Sequence, residues 1–159
     1  NPCPCGYLND PVHPCTCAPG LLTRYRNKVS GPMLDRIDLH LTVPRLSIEK
    51  LEGDGGVSSA VLRDTVHDAR ERQRKRFAEQ PWKTNADMPS EYIRTALQLT
   101  QEARMVLRDA VTRFHLSGRV YFRLLKVAQT IADVAKSDTI DVPHIGEALQ
   151  YRFRESITV

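Results

Sequence analysis

The chain has 159 residues, 41% hydrophobic and 6% aromatic, with 23 basic against 19 acidic side chains and a net charge of +4. That length fits one domain or a small domain with an appendage, and lets roughly two-thirds of the unfolded surface be buried. No run of about 20 apolar residues and no signal peptide is visible, so a cytoplasmic chain with no membrane partner is expected.

All four cysteines, Cys3, Cys5, Cys15 and Cys17, lie in the first seventeen residues, and five of the ten prolines fall in residues 1–20. Little regular structure is expected there without a staple. A disulfide framework would usually be spread through a small secreted chain. Two Cys-x-Cys pairs separated by nine residues instead offer zinc its four soft ligands, although a one-residue gap strains simultaneous ligation. His13 is a spare candidate, and free thiols or disulfides are the alternative.

Residues 21–29 read as a short helix stopped by Ser30-Gly31-Pro32. Arg36 follows between Asp35 and Asp38. A guanidinium is always charged, planar and forked, which suits a transferring phosphoryl group. Arg36 therefore reads either as an arginine finger or as a surface Arg paired with its neighbouring carboxylates. Leu39 to Val43 is strand-like and is stopped by Pro44. No phosphate-cradling Gly-x-x-x-x-Gly-Lys-[Ser/Thr] occurs, nor a hydrophobic run ending in paired acids. If Arg36 serves a nucleotide, most of that site is expected elsewhere. The chain also begins at Asn1 rather than Met and reads as a piece of a longer polypeptide.

Residues 46–56 carry Gly53, Gly55 and Gly56 and have a linker composition, giving expected regions of 1–45, 46–56 and 57–159. Beyond the linker everything reads helical. Ser58 and Ser59 can cap a helix over 58–79 with Val61, Leu62, Val66, Ala69 and Phe77 on its core side. Pro89-Ser90 opens a second helix, with Tyr92, Ile93, Ala96 and Leu97. Thr100 opens a third, with Ala103, Val106, Leu107, Ala110, Val111 and Phe114 inward. Ser117-Gly118 starts the most regular one, with Val120, Leu124, Val127, Ala128, Ile131, Val134 and Ala135 inward. Asp141-Val142-Pro143 is an acidic cap with Pro in the first turn, ahead of Ile145, Ala148, Leu149 and Phe153. The expected fold class is mainly α, a helical bundle preceded by a segment with one short strand and a Cys-rich loop.

Arg119 sits in the first turn of its helix, where free N–H groups and the positive dipole end form an anion site. Arg119, Arg123 and Lys126 share one helical face, either a phosphate-binding face or a solvated basic one. Arg70, Arg72, Arg74, Lys75 and Arg76 scatter around their helix and are diluted by Asp68, Glu71 and Glu79, so a solvated face reads better than a DNA face. The histidines show neither paired metal spacing nor a nearby nucleophile.

Asn1 to Gly6, Arg24-Tyr25, Ser30 to Asp38, Ala69 to Gln73, Asn85-Ala86, Leu116 to Arg119, Leu125 to Asp133 and Glu147 to Arg152 occur in this order. Together they resemble the magnesium-chelatase-like AAA+ ATPases of the YifB/ComM type over nearly the whole chain. The resemblance implies a C-terminal piece, with a Lon-protease-like domain, the Walker motifs and the ATP and Mg site in the preceding part. It implies that Asn1 is the sensor-1 Asn that positions the attacking water. Arg36 would be the arginine finger offered to a neighbouring subunit, and Arg119 the sensor-2 Arg at the head of the lid, with Arg123 beside it. It also implies a ring, expected to be hexameric, working on DNA as in branch migration, while this piece alone would be monomeric and inactive. Gln129 departs from the Arg common in the family. Zinc at the four cysteines would be a local brace. A zinc-braced DNA-binding module and a protein-interaction bundle with no nucleotide role are the alternatives.

Overall fold

The structure, a computed structural model, describes residues 1–43, 46, 48–53 and 56–152, with only the backbone of residues 49 and 50. Pro44, Gly55 and Phe153, read above as strand stop, linker and core, lie outside the described residues. The chain divides into two compact units. The first comprises Asn1–Ile37 and Thr42–Gly53, the second Asp38–Leu41 and Asp54–Val159.

In the first unit the N-terminal loop leads into helix α1 (Pro19–Arg26), a single turn α2 (Gly31–Leu34) and a short α3 (Ile48–Glu52). The first two start with Pro in the opening turn, where its missing N–H is not needed. Apart from Cys3 and Leu22, no described side chain of this unit is fully buried. Helix α3 falls inside the stretch whose glycines suggested a linker.

The second unit is helical: α4 (Ser59–Arg76), a 3-10 turn (Asn85–Asp87), α5 (Ser90–Ala96), α6 (Gln101–Arg113), α7 (Gly118–Val134) and α8 (Val142–Gln150). The expected caps form. Ser58, Thr100 and Ser117 accept from the backbone N–H three residues on, at 3.4, 3.2 and 3.3 Å. Asp141 and His144 make a reciprocal capping box on α8, and each such cap is worth about 1 kcal/mol. Helix α7 is central, with Leu124, Leu125, Ala128 and Ala132 buried. Phe77, Met88, Ala103, Leu107, Ile145 and Ala148 close around it in one apolar cluster. The connections 97–100 and 137–141 are pinned by a parallel bridge, Leu99 to Ile140. The mainly helical class is as expected.

Two local expectations fail. Residues 39–43 form no strand among the described residues. A lone extended segment lacks a neighbour for its ladder, and the His40 N–H donates to the Tyr151 carbonyl at 2.7 Å instead. On α4, Val61, Leu62 and Val66 are 56%, 54% and 57% exposed, and only Ala69, Gln73 and the following Phe77 are buried. The periodicity was right for a helix, but α4 meets the bundle only along its C-terminal half. Contacts to the end of α7 and the turn after it run from Asp68 through Arg72 to Arg76. Ala96, Phe114, Val134 and Ala135, at or just past helix ends, are likewise exposed.

Candidate functional site

The first unit gathers its four cysteines. Gly6 takes a positive φ of 86°, a conformation glycine adopts without a side-chain clash. Its N–H closes a turn on the Cys3 carbonyl at 3.1 Å. The turn bends the chain just after the first Cys-x-Cys pair, and all four Sγ atoms lie within 4.8 Å of one another. Cys3–Cys5, Cys5–Cys15 and Cys15–Cys3 sulfurs stand 3.3, 3.6 and 3.7 Å apart. A zinc ion with bonds of about 2.3 Å sets tetrahedral sulfurs about 3.8 Å apart, so the cluster fits such an ion, and no disulfide competes.

The electrostatics distinguish the thiols, holding Cys5 down and pushing Cys15 and Cys17 up. The Tyr7 N–H, and then the Cys3 thiol, bond to the Cys5 sulfur and hold its thiol down to about 6. The Cys17 N–H acts the same way on Cys15, but burial and the sulfurs of Cys5, Cys3 and Cys17 outweigh it and push that thiol up to about 12. The Cys5 thiolate forms readily, whereas Cys15 needs a cation to replace its proton. His13 is outside the cluster; it lies 3.7 Å from Asp10 and stacks near Tyr7 with ring centroids 5.1 Å apart.

Arg36 follows the α2 turn in the same unit. It is exposed, and one of its terminal N–H groups donates to the Pro32 carbonyl at 2.7 Å, which steadies the side chain. Asn1 is exposed beside the cysteine loop, its side chain close to Gly6.

In the second unit Arg119 is exposed in the first turn of α7. Its neighbours on that face differ. Arg123 is paired with Asp38 at 2.5 Å, fastening residues 38–41 to α7. Lys126 donates to the Ala86 carbonyl at 2.6 Å. Burial, and then the charge of Arg123, pull the Lys126 ammonium below its ordinary range. The face is thus neither one phosphate cluster nor a free solvated stripe. Arg123 and Lys126 hold the fold, and Arg119 is left presented to solvent.

The four arginines of the α4 basic run are also tied up. Arg70 donates to Gln73 at 2.8 Å, Arg72 pairs with Asp138, and Arg74 with Glu71. Arg76 forks onto Asp133, which is fully buried. Asn85 accepts from Arg76 at 3.0 Å and donates to Asp133 at 2.8 Å and Thr130 at 3.0 Å. The buried Gln129 donates to Asp133 at 3.3 Å. Sequence reasoning missed this clamp. Its signal was a polar pair, Gln129 and Asp133, one turn apart beside the apolar stripe of α7.

Comparison with known proteins identifies the family. The family model for magnesium chelatase subunit ChlI, C-terminal, matches residues 56–152, and that for magnesium chelatase subunit ChlI matches residues 1–51. The chain is 40% identical over 154 residues to competence protein ComM of Haemophilus influenzae and 41% identical over 157 residues to YifB of Escherichia coli. In each case the match covers 96% of this chain and 29% of the relative. Rv2897c of Mycobacterium tuberculosis is 34% identical over 154 residues, 96% of this chain and 30% of that protein. The chain therefore spans under a third of the length of these relatives, and it belongs to the magnesium chelatase ChlI C-terminal family, in the company of ComM and YifB.

Proposed function

We propose that this chain supplies the sensor, finger and lid residues of a magnesium-chelatase-like AAA+ ATPase that works as an oligomeric ring on DNA. The observation that carries the reading is the match to both family models in order, joined to two arginines, Arg36 and Arg119, that stand exposed at helix ends. Phosphoryl transfer asks the protein mainly to position groups and to neutralise charge around the γ-phosphate. Arg36 is assigned as the arginine finger given to a neighbouring subunit's ATP, and Arg119 as the lid residue that reads the phosphates. Asn1 is assigned to orient the attacking water. Arg123, held by Asp38, is assigned to placing α7 rather than to touching nucleotide. ATP and Mg are bound by the part of the protein that carries the Walker motifs. The four cysteines hold a structural zinc that shapes the loop ahead of Arg36. The DNA substrate follows from the kinship with a competence protein.

The test is ATP turnover by the full-length protein. Arg36→Ala should lower kcat by about 10³–10⁵, the range of an arginine finger, while ring assembly persists. Arg119→Ala should lower turnover as well. Normal turnover by both variants in assembled rings would leave the chain an interaction or DNA-binding module instead.

A further inference from the structure

A second basic site lies in the second unit. Arg94 of α5 and Arg104 and Arg108 of α6 rim a cavity of about 350 Å³ walled by the 97–99 connection and by Tyr121 and Leu125 of α7. The floor is apolar, with Ile93, Leu97, Leu107 and Leu125 all buried. The three arginines are exposed. Arg104 and Arg108 are one helical turn apart, where like charges repel. No carboxylate lines the cavity. Among the described residues none of the three makes an ion pair, although Glu91, Glu102 and Asp109 are near in sequence. Arg94 rests over the Phe122 ring at 5.8 Å. The cationic rim here contrasts with the arginines of the α4 run, which are paired within the protein.

We infer that this cavity binds one nucleotide unit, its phosphate held by Arg94, Arg104 and Arg108 and its flat base lying on the apolar floor beside Tyr121. Guanidinium forks match phosphate oxygens two at a time. A carboxylate side chain would satisfy the rim and leave the floor wet, whereas a phosphate joined to a planar ring meets both halves of the lining. The size is that of a small-ligand pocket. Stacking and backbone charge together are how single strands are held without sequence choice. The unit can come from a free mononucleotide or from a single strand. The inference does not depend on the hydrolysis reading, since Arg36 and Arg119 take no part in it.

The experiment uses the 159-residue chain, its arginine side-chain N–H signals followed by NMR, and two probes, thymidine monophosphate and a fluorescent oligothymidylate. Saturable shifts of the Arg94, Arg104 and Arg108 signals are expected. R104A/R108A should weaken oligothymidylate binding by at least about tenfold and flatten its log–log salt slope by about 1.4, two single-strand contacts' worth. R63A/R113A, with the same loss of charge, should change affinity by less than about threefold if the charge acts locally. Thymidine monophosphate that saturates the signals and is not displaced by the strand marks a free nucleotide as the source; displacement marks the strand. Unshifted arginine signals with both probes, or equal weakening by both double variants, would overturn the site. Helix content by circular dichroism separates lost binding from lost folding, because all substituted side chains are exposed.

Discussion

The two units are held together by different physics. The second wraps Phe77, Leu124, Ile140 and Ile145, all with no exposed surface, into one apolar cluster. The first buries fully, among its described residues, only Cys3 and Leu22. Burial of apolar area contributes about 25 cal/mol per Å², so the second unit has a driving force that the first lacks. What the first unit has instead is four sulfurs at a single point, the usual resource of a segment too small for a core. The unit that presents Arg36 thus has four sulfurs placed where a metal could brace it, and the unit that presents Arg119 is held by packing.

That contrast can be broken most severely at the brace. Structural zinc sites carry about 10–16 kcal/mol of apparent binding free energy, which is folding free energy for the segment around them. Chelation, or Cys3→Ser, should therefore abolish the fold of residues 1–37 while the α4–α8 helices persist. NMR reads both units at once, and loss of both together would refute the division of labour. A stoichiometry of one zinc per chain is the accompanying metal analysis.

Next in size is the buried clamp. Asp133→Ala strands Arg76 and Asn85 inside the second unit and should cost about 3–5 kcal/mol, with Leu124→Ala at about 2–5 kcal/mol. Denaturant unfolding gives both values, and neither variant should alter zinc content. A smaller effect is expected from acid. The Val142 N–H, and then the Thr100 hydroxyl, hold the Asp141 carboxyl below the usual carboxylate range. Its contribution is therefore present above the unfolded value of about 3.9 and is lost as pH falls through the folded value. Asp141→Asn keeps a capping oxygen and removes the titration, so the acid limb of its stability curve should be flatter than wild type. The smallest effect belongs to α4: Val61→Ser and Val66→Ser, both at exposed positions, should shift the stability of this chain by no more than about 0.5 kcal/mol.

The helical half was legible because its signals are local. Ser58, Thr100, Ser117 and Asp141 each cap the helix that their position announced, and the stripe from Val120 to Ala132 is the core. Partnership was not legible. Periodicity finds the apolar side of α4 but not how far along the bundle reaches, so Val61 and Val66 were assigned to a core they do not meet. The 39–43 stretch has strand composition, yet pairing is a property of two segments. Among the charges, spacing set Arg119, Arg123 and Lys126 on one face, and only the fold shows that Asp38 engages Arg123 while Lys126 bonds to Ala86. The gathering of the cysteines was legible, because two Cys-x-Cys pairs only nine residues apart can bring their four sulfurs together, as they do here.

Under the proposed function, Arg36 completes a neighbour's site. Full-length Arg36→Ala protein, inactive in ATP hydrolysis, should be mixed with an equally inactive variant of the Walker-A lysine and turnover measured across mixing ratios. The account predicts that activity reappears in mixed rings, where an intact Arg36 meets an intact phosphate loop on the adjoining subunit. No activity at any ratio, in rings shown to contain both variants, would contradict it.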